Sequence, residues 1–220
     1  MQHGGCALKE SPDSTGRHAL RLRIPQRVEL LRSPLFSQRL VIEPLDSGCA
    51  SRFFRSVQES RTSLEQWLPW VAHVQDLEGC RRYVDSSILD WNGGNALRFA
   101  LRPRGDASFL GVVSLENLNQ AHRSADLGYW LHVDWTGKGL MREGLIRIVD
   151  FAFSSLCLHR IRVAAALENS KSRRLIERLG FVEEGVSRQA ERVQGRWLTH
   201  ANYSLLVTDP LPSGSERPSR

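Results

Sequence analysis

The chain has 220 residues, room for one domain of ordinary size and too few for two at roughly 150 residues each. Hydrophobic residues at 41% and charged residues at 25% are enough to build a core and exclude disorder throughout, while no apolar run approaches the ~18 to 20 residues of a bilayer span. The net charge is +6, of which +3 falls in residues 1–37, and the body that remains is too weakly basic to demand a duplex nucleic acid. Neither a membrane nor a nucleic acid is therefore expected as a partner.

The N-terminal segment 1–37 mixes Gly, Ser, Pro and Arg without sustained periodicity apart from an apolar cluster at Val28 to Leu31, and reads as a flexible basic extension. Order is expected to begin near residue 38. Arg39-Leu40-Val41-Ile42 is strand-like up to Pro44, a helix is predicted around Ala50, Phe53, Phe54 and Val57, and Trp67-Leu68-Pro69-Trp70 breaks it. A second helical pattern runs through Leu77, Cys80, Tyr83, Val84 and Ile88.

From residue 96 the period changes to two, giving three successive strands: one at Leu97, Phe99 and Leu101, one over Phe109 to Leu115, and one over Ala125 to Val133. A helix follows with Met141, Leu145, Ile148, Val149, Ala152 and Leu156 on one face, then a strand over Ile161 to Leu167. Next come a short helix stopped by Gly180 and two last strands, Val182 to Arg188 and Trp197 to Val207. This order predicts a single mixed α/β domain over residues 38–208, with 209–220 as a C-terminal tail.

The four cysteines, Cys6, Cys49, Cys80 and Cys157, form no Cys-x-x-Cys pair, which points to reduced thiols and a cytoplasmic location. His3, Gly4, Gly5 and Glu10 stand where a signal peptide needs a basic flank and an apolar run. None of the seven histidines stands at zinc-ligand spacing, so no metal is assigned.

The segment Leu131 to Met141 carries a strand through Gly137-Lys138-Gly139 directly into an amphipathic helix. Such a junction leaves backbone N–H groups at the positive end of a helix dipole, a seat for a phosphate or pyrophosphate; a tight turn alone is the plainer reading. A Walker A loop would need Gly at His132 and Ser or Thr at Gly139, and a dinucleotide fingerprint would need Gly at Arg142, so both are excluded.

Three further segments accompany this loop: Leu127-Gly128-Tyr129-Trp130-Leu131; Glu168-Asn169-Ser170-Lys171-Ser172 through Leu179-Gly180-Phe181; and Arg188-Gln189-Ala190-Glu191 with Gly195. As a set over about residues 38 to 207 they resemble the GNAT superfamily of acetyl-CoA-dependent N-acetyltransferases, in particular its RimJ/RimL-type branch, which acetylates α-amino groups of ribosomal proteins. The resemblance implies a mostly antiparallel central sheet flanked by helices. It departs from the family pattern at Thr136, where Gln or Arg is usual, at Met141, and at Thr199, where many relatives carry Asp.

On that resemblance, acetyl-CoA is the cosubstrate, and its pyrophosphate falls to Gly137, Lys138, Gly139, Leu140 and Met141. Leu131 and Val133 would offer backbone groups to the pantetheine amides, and Asn169 would hydrogen-bond the same arm. Direct attack on the thioester needs a neutral amine and a proton for the leaving thiolate. Glu191 is the candidate base and Ser172 the candidate proton donor. Trp67, Trp70 and Trp130 are candidate walls of the acceptor groove, with core packing the plain alternative for each. The expected acceptor is a protein N-terminus in preference to a small amine or antibiotic; a non-catalytic acetyl-CoA sensor or adaptor, and a homodimer, stay open.

Overall fold

The computed structural model describes residues 21–210. Its elements are α1 (Arg27–Arg32), β1 (Leu35–Phe36), β2 (Leu40–Pro44), α2 (Ala50–Leu64), α3 (Leu77–Gly93), β3 (Leu97–Pro103), β4 (Gly111–Asn119) and β5 (Ser124–Leu131). They continue with α4 (Leu140–Ser154), β6 (Arg160–Ala166), α5 (Ser170–Arg178), β7 (Val182–Val193) and β8 (Arg196–Leu206). The eight strands form one sheet in the order β1-β2-β3-β4-β5-β6-β8-β7. Every neighbouring pair is antiparallel except β5 and β6.

Alternation along the central strands sends side chains to two cores. Phe99, Leu101, Val113, Leu115, Ala125 and Leu127 bury against Leu145, Ile148, Val149 and Ala152 of α4. The opposite face, through Ala100, Val112 and Trp130, meets Phe53 and Val57 of α2 and Cys80 and Val84 of α3. Helices thus cover both faces, so these strands read as nearly continuous apolar runs rather than strict alternation. Asp76 starts α3 by accepting the Gly79 N–H at 2.7 Å, and Gly94 ends it with φ +70°.

The expectation of a flexible extension over 1–37 fails for its described part. Leu22, Leu30 and Leu35 are buried in the α4-side core, Arg23 N–H donates to Leu156 O at 3.1 Å, and Trp91 Nε1–H donates to Pro25 O at 3.0 Å. The three leucines are too widely spaced to show a helical or strand period, and each docks separately, with Ile24 packed beside them. Residues 1–20 and the tail from 211 lie outside the described residues.

β5 and β6 run parallel but pair only at Ser124↔Arg160, Ala125↔Ile161 and Asp126↔Arg162. Beyond them β5 continues to Leu131 and β6 to Ala166 with no mutual pairing, β6 keeping its antiparallel bonds to β8 throughout. The sheet is therefore split at its centre. The lips of the split are the C-terminal halves of β5 and β6.

Candidate active site

The backbone of β5 sets up the first lip. His132 N–H donates to Leu110 O at 2.7 Å, so the peptide groups of His132 and Trp130 face β4, and by strand alternation those of Leu131 and Tyr129 face the split. Leu131 thus offers an edge to an extended ligand. Val133 does so differently: its N–H donates to Ser60 Oγ on α2 at 3.0 Å, and its side chain is exposed, not in the core.

At the end of this lip the chain turns into α4. Gly137 and Gly139 both have φ +76°, a left-handed conformation that costs a non-glycine residue about 1 to 2 kcal/mol. No side chain caps α4, so its first N–H groups are presented outward with the helix dipole behind them. Leu140 and Met141 bury their side chains in the core, leaving their backbones for the loop. Lys138 Nζ stands 4.6 Å from the Trp135 ring centroid, and Thr136 Oγ1 donates back to Val133 O at 2.8 Å.

The loop is latched by residues that lead into β2. Arg39 donates through its guanidinium to Lys138 O at 3.1 Å and to Glu143 Oε2 at 2.7 Å, while its own N–H and Ser37 Oγ donate to Glu143 Oε1. Burial opposes ionisation of Glu143, but these hydrogen bonds and the Arg39 charge hold its carboxyl below the ordinary range. Nothing in the spacing of residues 37 to 39 and 143 signals this pairing from the sequence.

The second lip leads into α5. Asn169 is its N-cap, its Oδ1 accepting the Ser172 N–H at 3.2 Å, so that face of the amide is spent on the helix start. Ser172 Oγ lies 2.7 Å from Tyr129 Oη, a hydroxyl pair that joins the two lips. Burial pushes the Tyr129 phenol up to about 12 against the opposing effect of the Ser172 hydrogen bond. Alternation along β5 sets Tyr129 on the face opposite Trp130, but its partner Ser172, 43 positions away, leaves no signal in the sequence.

Glu191 stands on β7 opposite Leu198, beyond the Arg188 end predicted for that strand. The Gln189 backbone, at φ +49°, forms a bulge just before it, and Gln189 N–H donates to Thr199 Oγ1 at 3.2 Å. Glu191 Oε2 lies 3.6 Å from Nε2 of His200, which pairs with Ala166 at the end of β6. The three tryptophans separate. Trp130 is buried, edge-on to Phe53 and tilted against Trp70 and Phe109, and Trp70 belongs to the same cluster; Trp67 instead packs on Ala166, Val193 and Leu198 beside the second lip.

A split sheet with a helix start at one end is a fold signature, and comparison with known proteins identifies it. A family model for an acetyltransferase (GNAT) domain matches residues 39–182. The chain belongs to the GNAT acetyltransferase family. The "Putative ribosomal N-acetyltransferase YdaF" of Bacillus subtilis (strain 168) is 31% identical over 174 residues, covering 77% of this chain and 92% of that protein. The [ribosomal protein uS5]-alanine N-acetyltransferase of Escherichia coli (strain K12) is 28% identical, covering 81% and 93%. Among solved structures, Mycobacterium smegmatis RimJ in complex with CoA-disulfide superposes with a TM-score of 0.71 at 26% identity, covering 76% of this chain and 81% of that one.

The resemblance read from the sequence and the predicted mixed α/β sheet are thus both found, and the GNAT protein is an N-acetyltransferase whose cosubstrate is acetyl-CoA. Among the described residues no group of three or more His, Cys, Asp or Glu side chains could hold a metal ion, and no helix is long and apolar enough to cross a membrane.

Proposed function

We propose that this GNAT enzyme acetylates the α-amino group of a protein, a ribosomal protein being the leading class, in the cytoplasm. The observation that carries the reading is the split between β5 and β6, with the open edge of Leu131 along it and the uncapped start of α4 at its end. An extended pantetheine arm fits the open edge as a strand would, and its pyrophosphate fits the helix start. The relatives named for ribosomal proteins support the acceptor class.

In this reading Gly137 to Met141 receive the pyrophosphate through backbone N–H groups, Lys138 adds charge, and Leu131 N–H and C=O meet the pantetheine amides. Val133 joins only if Ser60 yields its amide. The neutral amine attacks the thioester carbonyl carbon, forming a C–N bond, and collapse of the tetrahedral intermediate breaks the C–S bond. The amine's proton passes to Glu191 directly or through water; the departing thiolate takes one from Ser172, which regains a proton from solvent as Glu191 releases its own to solvent. Tyr129 can donate to Ser172 Oγ, which frees the serine proton to point away from it. Asn169 sets the first turn of α5 and hence the place of Ser172. Trp67 forms the apolar wall on the Glu191 side, while Trp70 and Trp130 shape the groove from within the core.

The test is mass spectrometry of peptides representing ribosomal-protein N-termini after incubation with acetyl-CoA and the purified protein. One added acetyl group at the α-amine is the expected result. Acetylation confined to lysine side chains or to small amines would reassign the acceptor.

A further inference from the structure

β5 is followed directly by a histidine that is buried and engaged at both ring nitrogens. The His132 side chain is 7% exposed, and its Nδ1 accepts the Asp134 N–H at 3.1 Å, so the neutral ring carries its proton on Nε2. Nε2 donates to Glu59 Oε2 at 2.8 Å, whereas the Glu59 side chain is itself 55% exposed. An imidazole shut away at a strand end costs desolvation, and a hydrogen bond to a half-exposed carboxylate returns little stability. Stability alone gives no reason to spend a buried histidine on aiming a surface carboxylate.

The position of that carboxylate supplies one. Ser60, next to Glu59 on α2, caps the Val133 amide just past the first lip, and Trp67, about two turns further on, packs against Ala166, Val193 and Leu198 on the second. The end of α2 and the turn after it therefore span the mouth of the split. Across it, Glu191 and His200 form a matching carboxylate and histidine pair beside the end of β6.

We propose that Glu59 receives the ammonium group of the acceptor at the mouth of the split, and that His132 is a positioning residue that fixes the carboxylate for it. This deepens the acetyltransferase reading and rests on it for the acceptor class, which is a cationic primary amine such as a protein α-ammonium. Glu59 binds the charged amine; Glu191 removes its proton when transfer begins. A carboxylate that holds the ground-state ammonium raises affinity for the acceptor more than it raises turnover.

Two measurements on the full chain saturated with CoA test this. In the first, alaninamide or its neutral isostere lactamide is titrated while the imidazole resonances are followed by NMR, with the His132 signal assigned by its loss in H132Q. Alaninamide should move the His132 signal, lactamide should not, and E59Q should abolish the response. In the second, E59Q should raise the acceptor KM about tenfold with the acetyl-CoA KM unchanged and kcat within a few-fold. H132A should behave like E59Q, and H132Q, whose amide N–H can reach Glu59, should recover most of the affinity. Should H132A fail to fold, E59Q and H132Q still decide.

An unmoved His132 signal, an equal response to lactamide, or an unchanged acceptor KM in E59Q overturns the proposal. A charge-specific His132 response without acetylation of any α-amine keeps the ammonium site and retires the protein α-amine reading instead.

Discussion

Tyr129 and Ser172 share one hydrogen bond in which either hydroxyl can be the donor. Ser172→Ala and Tyr129→Phe should each lower kcat a few-fold, and the double variant should lose little more than either alone, because both break one unit. A double-mutant cycle on kcat measures it, and full additivity would separate the two hydroxyls. The pH profile tells them from the base. A phenol raised to about 12 stays protonated through the working range, so the Tyr129→Phe deficit should be flat with pH. Glu191→Gln should instead cost on the order of 10²-fold at neutral pH, shrinking as pH passes the α-amine's own value of about 8, above which the acceptor is already neutral. Glu143 provides a stability counterpart. Its folded value is depressed, so its contribution is complete above the ordinary carboxylate range and is lost as pH falls through the lower folded value. Glu143→Gln should flatten the acid limb of a plot of urea midpoint against pH.

The start of α4 concentrates most of the proposed cosubstrate contacts in one turn. A Cβ on Gly139 would meet Arg39 Nη2 at only 3.5 Å, an ordinary contact, so Gly139→Ala is penalised by its φ of +76° and not by space. A loss of about 1 kcal/mol in stability is expected, with a larger fall in CoA affinity as the loop relaxes out of its left-handed turn. Calorimetric titration with CoA beside thermal melting checks both. This element was legible in the sequence because a strand, a Gly-x-Gly turn and an amphipathic helix are contiguous, as were the helices α2 to α4 and the strand runs, whose apolar periods are long. The contributions of Arg39, Glu59 and Tyr129 were not, since each depends on partners 43 to 104 positions away. Glu191 was found through a family motif, yet its strand setting was hidden by polar residues on the sheet's outermost strand, which has almost no buried face to impose a period.

At the scale of the whole molecule, residues 21–36 act as a strap across the α4-side core. Deleting residues 1–20 should leave the melting temperature nearly unchanged, whereas deleting 1–36 removes three buried leucines and the partner of the Trp91 indole. At roughly 1.5 to 3 kcal/mol per buried leucine, the longer deletion approaches the whole stability of an ordinary domain and should cost soluble protein. Thermal melts of the two truncations, read side by side, settle where the folded unit begins.

The three residue pairs that join β5 to β6 have a kinetic corollary. With so short a seam, the wall against which an acceptor would rest is incomplete until the pantetheine arm lies along the open edge of β5. The two substrates should then add in a compulsory order, acetyl-CoA first and the amine second, with CoA the last product to leave. Initial-rate studies should show CoA competitive against acetyl-CoA and noncompetitive against the acceptor, and isotope trapping should capture the acetyl-CoA complex but never an acceptor-only complex. A compulsory order of that kind would mean that the sheet schedules catalysis, the gap between two parallel strands deciding which molecule has to arrive before the other finds a place to bind.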